Sequence, residues 1–72
     1  MWTNNVVVNQ TYCTHHAENC WASIAGKGWI KIKTGNSDGV TNTFILLSAA
    51  KANGRNASVY IVDNLIERAY LL

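Results

Sequence analysis

Apolar residues in this chain recur at two spacings, and the change from one to the other divides it into elements. Residues 6–13 (VVVNQTYC) are strand-like in composition, and their alternation sets Val6, Val8 and Tyr12 against Val7, Asn9 and Thr11. Residues 14–19 (THHAEN) are polar and read as a loop. Residues 20–25 (CWASIA) alternate Cys20, Ala22 and Ile24 against Trp21, Ser23 and Ala25. Gly26-Lys27-Gly28 predicts a tight connection, because glycine tolerates the positive φ such turns need. Residues 29–34 (WIKIKT) give the clearest alternation, with Ile30 and Ile32 toward a core and Trp29, Lys31 and Lys33 away from it. Residues 6–34 therefore predict a three-stranded meander.

The period then changes. Residues 35–39 (GNSDG) are a turn cluster. Residues 41–52 (TNTFILLSAAKA) predict a helix capped by Thr41 or Asn42 and closed at Asn53-Gly54. At 100° per residue, Ile45, Leu46, Ala49 and Ala50 share one face with Leu47 on its border. Phe44 falls on the opposite side, beside Ser48 and Lys51. After the helix, residues 57–63 (ASVYIVD) direct Val59 and Ile61 one way and Ser58, Tyr60 and Val62 the other. Asp63-Asn64 predicts a two-residue turn, and residues 65–72 (LIERAYLL) a last strand whose Tyr70, Leu71 and Leu72 require burial. The expected class is a β-rich α+β domain: five antiparallel strands curl round one helix in the order β-β-β-α-β-β.

Seventy-two residues make one domain, 1–72, with a small core. A formal net charge of +2, spread over scattered lysines and arginines, is thinner than the basic stripe of a general nucleic-acid binder. No apolar run approaches the roughly 20 residues that span a bilayer. Residues 1–10 (MWTNNVVVNQ) lack the basic and apolar regions of a signal peptide. Three tryptophans, three tyrosines and a phenylalanine are more aromatic surface than so small an interior can hide. Symmetric self-association is the commonest way to cover such surface, so a homo-oligomer with Phe44 or Trp29 in its interface is expected.

Two groups of residues bear on chemistry. The first is Cys13-Thr14-His15-His16-Ala17-Glu18-Asn19-Cys20. The spacing C-x-H-H-x3-C matches no common structural zinc pattern, so no metal is expected. Cys13 and Cys20 stand instead at the base of a hairpin, either bonded or as two small buried thiols. Bonding would stabilise the fold by roughly 2.5 kcal/mol in the chain-entropy model. It would also imply an oxidising, secreted or periplasmic compartment. The second group is Trp29, Lys31 and Lys33, an aromatic platform with flanking charge that suits stacking on a base or a sugar. The same residues also suit a tryptophan covered by a neighbouring subunit, with lysines guarding a strand edge. No acid, base and nucleophile converge, so neither an enzyme nor a cofactor is indicated.

The order β-β-β-α-β-β over about residues 6–72 resembles the small OB-like barrels of the B subunits of pentameric bacterial toxins. The pertussis and subtilase types are the nearest in style, together with related small bacterial proteins of unknown function. The echoes are an early strand bearing Cys13 or Cys20, the helical stretch NTFILLSAAKANGR, and the strands ASVYIVD and LIERAYLL that follow it. The resemblance is one of topology and carries no receptor-binding residue across. It implies a non-enzymatic binding or assembly module, homo-oligomeric, with a glycan-like or protein ligand. The alternative is an OB-type single-stranded nucleic-acid binder using Trp29, Lys31 and Lys33.

Overall fold

The first thirteen residues form two strands where the alternation predicts one. In the computed structural model, which describes Met1 to Leu72, β1 (Trp2–Val6) and β2 (Val8–Cys13) are separated by Val7 alone. They are followed by β3 (Cys20–Ile24), β4 (Gly28–Ile32), the helix α1 (Ser37–Ala52), β5 (Ala57–Val62) and β6 (Leu65–Leu71). The class is the expected β-rich α+β with one helix. The strands number six, in one mixed sheet ordered β1-β5-β6-β4-β3-β2. Every neighbouring pair is antiparallel except β4 with β6, which run parallel through Lys31↔Leu65 and Ile32↔Ile66. The all-antiparallel, five-strand expectation is corrected on both counts. The parallel pair is possible because α1 and β5 together make the long crossover that parallel neighbours require.

β1 escapes the alternation because Asn4-Asn5 is a poor strand sequence. Asn5 adopts φ 55°, a left-handed conformation that asparagine tolerates better than most residues. It sits in a bulge, where the register to β5 slips between Thr3 and Val6. The Asn5 N–H turns to the Ser58 hydroxyl at 3.2 Å, and Asn56 Nδ2 donates to Asn5 Oδ1 at 2.8 Å. Ser58 is the one polar residue among those fully buried, and this bond satisfies it. A second bulge interrupts β2 between Val8 and Gln10. Bulges bend a strand and add twist. Two of them on either side of Val7 let one stretch of chain leave β5 and join β3 at the far end of the sheet order.

The second bulge also decides which side chains face outward. Strand side chains alternate with period 2, so one extra residue reverses every position beyond it. Val8, opposite Ile24, is buried, and so the simple alternation would bury Tyr12. Instead Thr11 lies opposite buried Ala22, with Ser48 Oγ on α1 donating to its hydroxyl at 3.1 Å, and Tyr12 faces out at 53% exposure.

The helix begins four residues earlier than expected. Asn36 caps it, its side-chain oxygen accepting from the Gly39 N–H at 3.0 Å, and Asp38 in the first turn complements the helix dipole. The turn-like composition of GNSDG is therefore a cap and a first turn. The far end is a Schellman closure, as Gly54 suggests. Gly54 has φ 62°, its N–H donates to Lys51 O, and the Arg55 N–H donates to Ala50 O.

Starting at Ser37 brings Val40 into register with Leu47 and Ala50, and these three form the buried face. The face predicted from residue 41 onward is rotated: Ile45 is 60% exposed, while Leu46 and Phe44 pack partly against the core. Phe44 is thus half-buried on the core side, where the sequence put it on the far side. The core joins Val8, Ala22, Ile24, Ile30, Ile32, Val59 and Ile66 to this helix face. Asp63 and Asn64 both have positive φ, as a type I′ hairpin turn requires, so the predicted turn is present. Tyr70, Leu71 and Leu72, expected to be buried, remain exposed. The end of the chain is held by Leu72 N–H on Asn56 O and by the Arg55 side chain on Leu72 O.

The two helix readings separate cleanly in a urea unfolding experiment. Leu47→Ala is expected to cost about 2–5 kcal/mol as a large-to-small change in the core. Ile45→Ala should cost no more than about 0.5 kcal/mol, as surface substitutions do.

Candidate functional site

Three strands bring three aromatic side chains to one outward surface. Tyr12 on β2 lies directly opposite Trp21 on β3, and Trp29 on β4 lies opposite Ser23. Tyr12 and Trp29 meet edge to face, their ring centres 6.3 Å apart and their planes 74° apart. With Trp21 they line a shallow depression of about 360 Å³. Trp29 is 47% exposed and Trp21 half-buried. Aromatic faces held this way offer stacking surface at little entropic cost, since each ring is already braced by its neighbours.

The hairpin loop fixes the orientation of Trp21. Its indole N–H donates to Asn19 Oδ1 at 3.0 Å, and Asn19 Nδ2 donates in turn to Thr14 Oγ1 at 2.9 Å. The His16 N–H also donates to Thr14 Oγ1, at 3.2 Å. Both lone pairs of that hydroxyl are therefore engaged in holding the loop. Thr14 lies 3.2 Å from His16 Nδ1, yet its oxygen is a turn fastener with no free pair to attack a substrate. The His15 and His16 rings stack on each other, 4.4 Å between centres, at the exposed tip. No three histidine, cysteine or acidic side chains come together as metal ligands.

The predicted binding residues separate. Trp29 and Lys31 belong to the aromatic surface, with Lys31 Nζ 5.8 Å from the Trp21 ring centre. Lys33 lies beyond the end of β4 and bonds Glu67 Oε2 at 3.0 Å, while the other carboxylate oxygen is 3.5 Å from Arg68 Nε. Phe44, packed against the core, is remote in kind from this surface. Tyr12 and Trp21 belong to the surface as well, although the basic-aromatic pattern of β4 does not point to them. Trp21 was legible as outward-facing from its alternation with Ala22 and Ile24, but Tyr12 was hidden by the bulge.

A second cavity, of about 400 Å³, opens between the end of β4 and the start of α1. Three of its polar side chains are already committed, Lys33 and Glu67 to each other and Asn36 to the helix cap. A second aromatic cluster lies on the outward side of β1, β5 and β6. Trp2 meets Tyr60 and Tyr70 edge to face at 5.2 and 5.3 Å, and the Arg68 guanidinium lies 5.3 Å from the centre of the Tyr60 ring. No protein-family model matches the chain, and neither does any curated protein or solved structure. The geometry of the surface alone carries the functional reading.

The Lys33 hydrogen bond holds the Glu67 carboxyl below its ordinary range, against the opposing effect of its partial burial and with help from the Lys33 and Arg68 charges. A carboxyl whose folded pKa is depressed stabilises the fold at neutral pH, and that support is lost as pH falls through the folded value, below the ordinary glutamate pKa of about 4.3. A Lys33→Met protein should therefore show Glu67 titrating close to the ordinary value in a carbon-detected NMR titration. An unchanged midpoint would mean that Lys33 is free in solution and available to a ligand.

Proposed function

We propose that this chain is a non-enzymatic binding module built on a small OB-like barrel, and that its ligand is a glycan held on Tyr12, Trp21 and Trp29. Counted as one bent strand, residues 2–13 reduce the sheet to five strands, with that strand neighbouring both β3 and β5. A five-stranded, partly open barrel of this kind binds oligosaccharides and oligonucleotides on the outer face of its early strands. The aromatic surface lies on that face. The same topology is what supports the likeness to the toxin B subunits. The single observation that carries the reading is the convergence of three aromatic rings on one outward surface.

Charge favours a sugar over a nucleic acid. Strand-binding grooves draw much of their affinity from cations set along the phosphate backbone. Lys33 is paired with Glu67, which leaves Lys31 as the one lysine in contact with an aromatic ring of this surface. Neutral sugar rings stack on aromatic faces without that requirement. Self-association complements the reading, because several weak stacking sites on one assembly add through avidity, by factors of about 10²–10⁴. The cluster of Trp2, Tyr60 and Tyr70 supports a contact between copies that leaves the Tyr12–Trp21–Trp29 surface free. It replaces the Phe44 contact, since Phe44 packs against the core.

One experiment addresses both parts. The wild-type protein and Trp29→Ala are sized by sedimentation, then tested on a glycan array and against a labelled single-stranded oligonucleotide at two salt concentrations. The proposal expects an oligomer, glycan binding insensitive to salt, and a loss of about tenfold or more in Trp29→Ala with unchanged stability. Steeply salt-dependent oligonucleotide binding without glycan binding would favour the nucleic-acid reading instead. A monomer at tens of micromolar would remove the assembly.

A further inference from the structure

Cys13 and Cys20 face each other across the β2–β3 ladder, one step beyond the Tyr12–Trp21 pair. The Thr14 N–H donates to Asn19 O on the loop side, which makes the cysteine pair the closely spaced, non-hydrogen-bonded position of the hairpin. Cα atoms at such a position are about 4.5 Å apart. A disulfide needs roughly 4.4–6.8 Å. The backbone is thus already set for a bond, although both thiols are free. Cys13 is exposed and Cys20 half-buried, so a reagent can reach the first and not readily the second. The expectation of two buried thiols is corrected accordingly.

We propose that Cys13 and Cys20 form a disulfide site at the base of the hairpin, closed by exchange with a small-molecule disulfide, and that the bond locks the neighbouring Tyr12 and Trp21 in register. Exchange proceeds in two displacements. The Cys13 thiolate attacks one sulfur of the small disulfide, forming a mixed disulfide and releasing one thiol. The Cys20 thiolate then attacks the Cys13 sulfur, forming the internal bond and releasing the second thiol. The two protein thiols lose two protons and two electrons, and the small disulfide is reduced to two thiols. Burial, and then the Cys13 sulfur beside it, push the Cys20 thiol pKa up, and Cys13 is the exposed sulfur that a reagent meets first. The bond closes a short loop, THHAEN, whose other fastenings are the hydrogen bonds of Thr14 and Asn19 and the one that Glu18 accepts from the Gly35 N–H. It forms whatever ligand the aromatic surface takes.

The test uses the full chain, reduced, freed of reductant and titrated with oxidised glutathione without air. The proposal expects a product lighter by two hydrogens, with no glutathione retained and no link between chains under denaturing mass spectrometry. Its Tm should rise by about 10 °C over the reduced form. Cys20→Ser, which removes the second displacement, should keep one glutathione on Cys13. Cys13→Ser should react far more slowly than Cys20→Ser. Glutathione persisting on both cysteines of the wild type, a bond between two chains, no reaction, or an internal bond that lowers Tm would each overturn it.

Discussion

The structure depends on one stretch of chain pairing with two strands that lie far apart in the sheet. Through β1 it bonds to β5, and through β2 it bonds to β3, with only Val7 between. Val7 O accepts from the Ala25 N–H at 3.0 Å, so even the joint is tied to the β3–β4 turn. A 72-residue chain has little apolar area to bury, and six separate strands would leave long unpaired edges. Wrapping one segment across both outer positions meets both needs. The residues that permit it are the least strand-like of the segment: Asn5, with its left-handed backbone, and the bulged region between Val8 and Gln10. Ser58 and Asn56 make the first bulge tolerable by bonding Asn5 from the side.

The same wrap makes the proposed binding surface. Without the bulge in β2, Tyr12 would point with Val8 into the core and the ladder beyond it would carry no aromatic partner for Trp29. With it, Tyr12, Trp21 and Trp29 meet on the outside, and Cys13 and Cys20 come opposite each other one step further along. A packing device and the proposed recognition surface are thus consequences of one extra residue. The interior gains from it too: the reversal turns Thr11 toward the helix, where its hydroxyl meets Ser48.

Much of this was legible in the sequence, and the parts that were not have physical causes. Strict alternation gave β3, β4 and the inward Ala22, Ile24, Ile30 and Ile32 correctly, and the paired positive-φ residues Asp63 and Asn64 were readable as a turn. Gly54 marked the helix end for a stereochemical reason that holds in any context. Two of the misses were changes of phase. Asn36-Ser37-Asp38 reads as a turn or as a helix start with the same residues, and choosing the turn dropped Val40 and rotated the buried face. The β1 and β2 bulges leave no mark in an alternation pattern, which therefore does not announce Trp2–Val6 and places Tyr12 on the wrong side. Lys33 was read as part of a basic platform because nothing in the sequence announces Glu67, 34 residues away, as its partner.

The central claim is that β1 and β2 act as one strand and that the domain holds together through it. Native-state hydrogen exchange tests this most directly, because it assigns an opening free energy to each amide. The amide of Ile61, bonded to Met1 O at one end of the segment, and that of Ala25, bonded to Val7 O at its joint, are the reporters. The account predicts that both exchange only through global unfolding, with the same free energy and the same denaturant dependence as the amides of β5 and β6. Rapid, denaturant-independent exchange at Ile61 and along β1, with β2 and β3 still protected, would contradict it: the first strand would then be an appendage to a fold that stands without it.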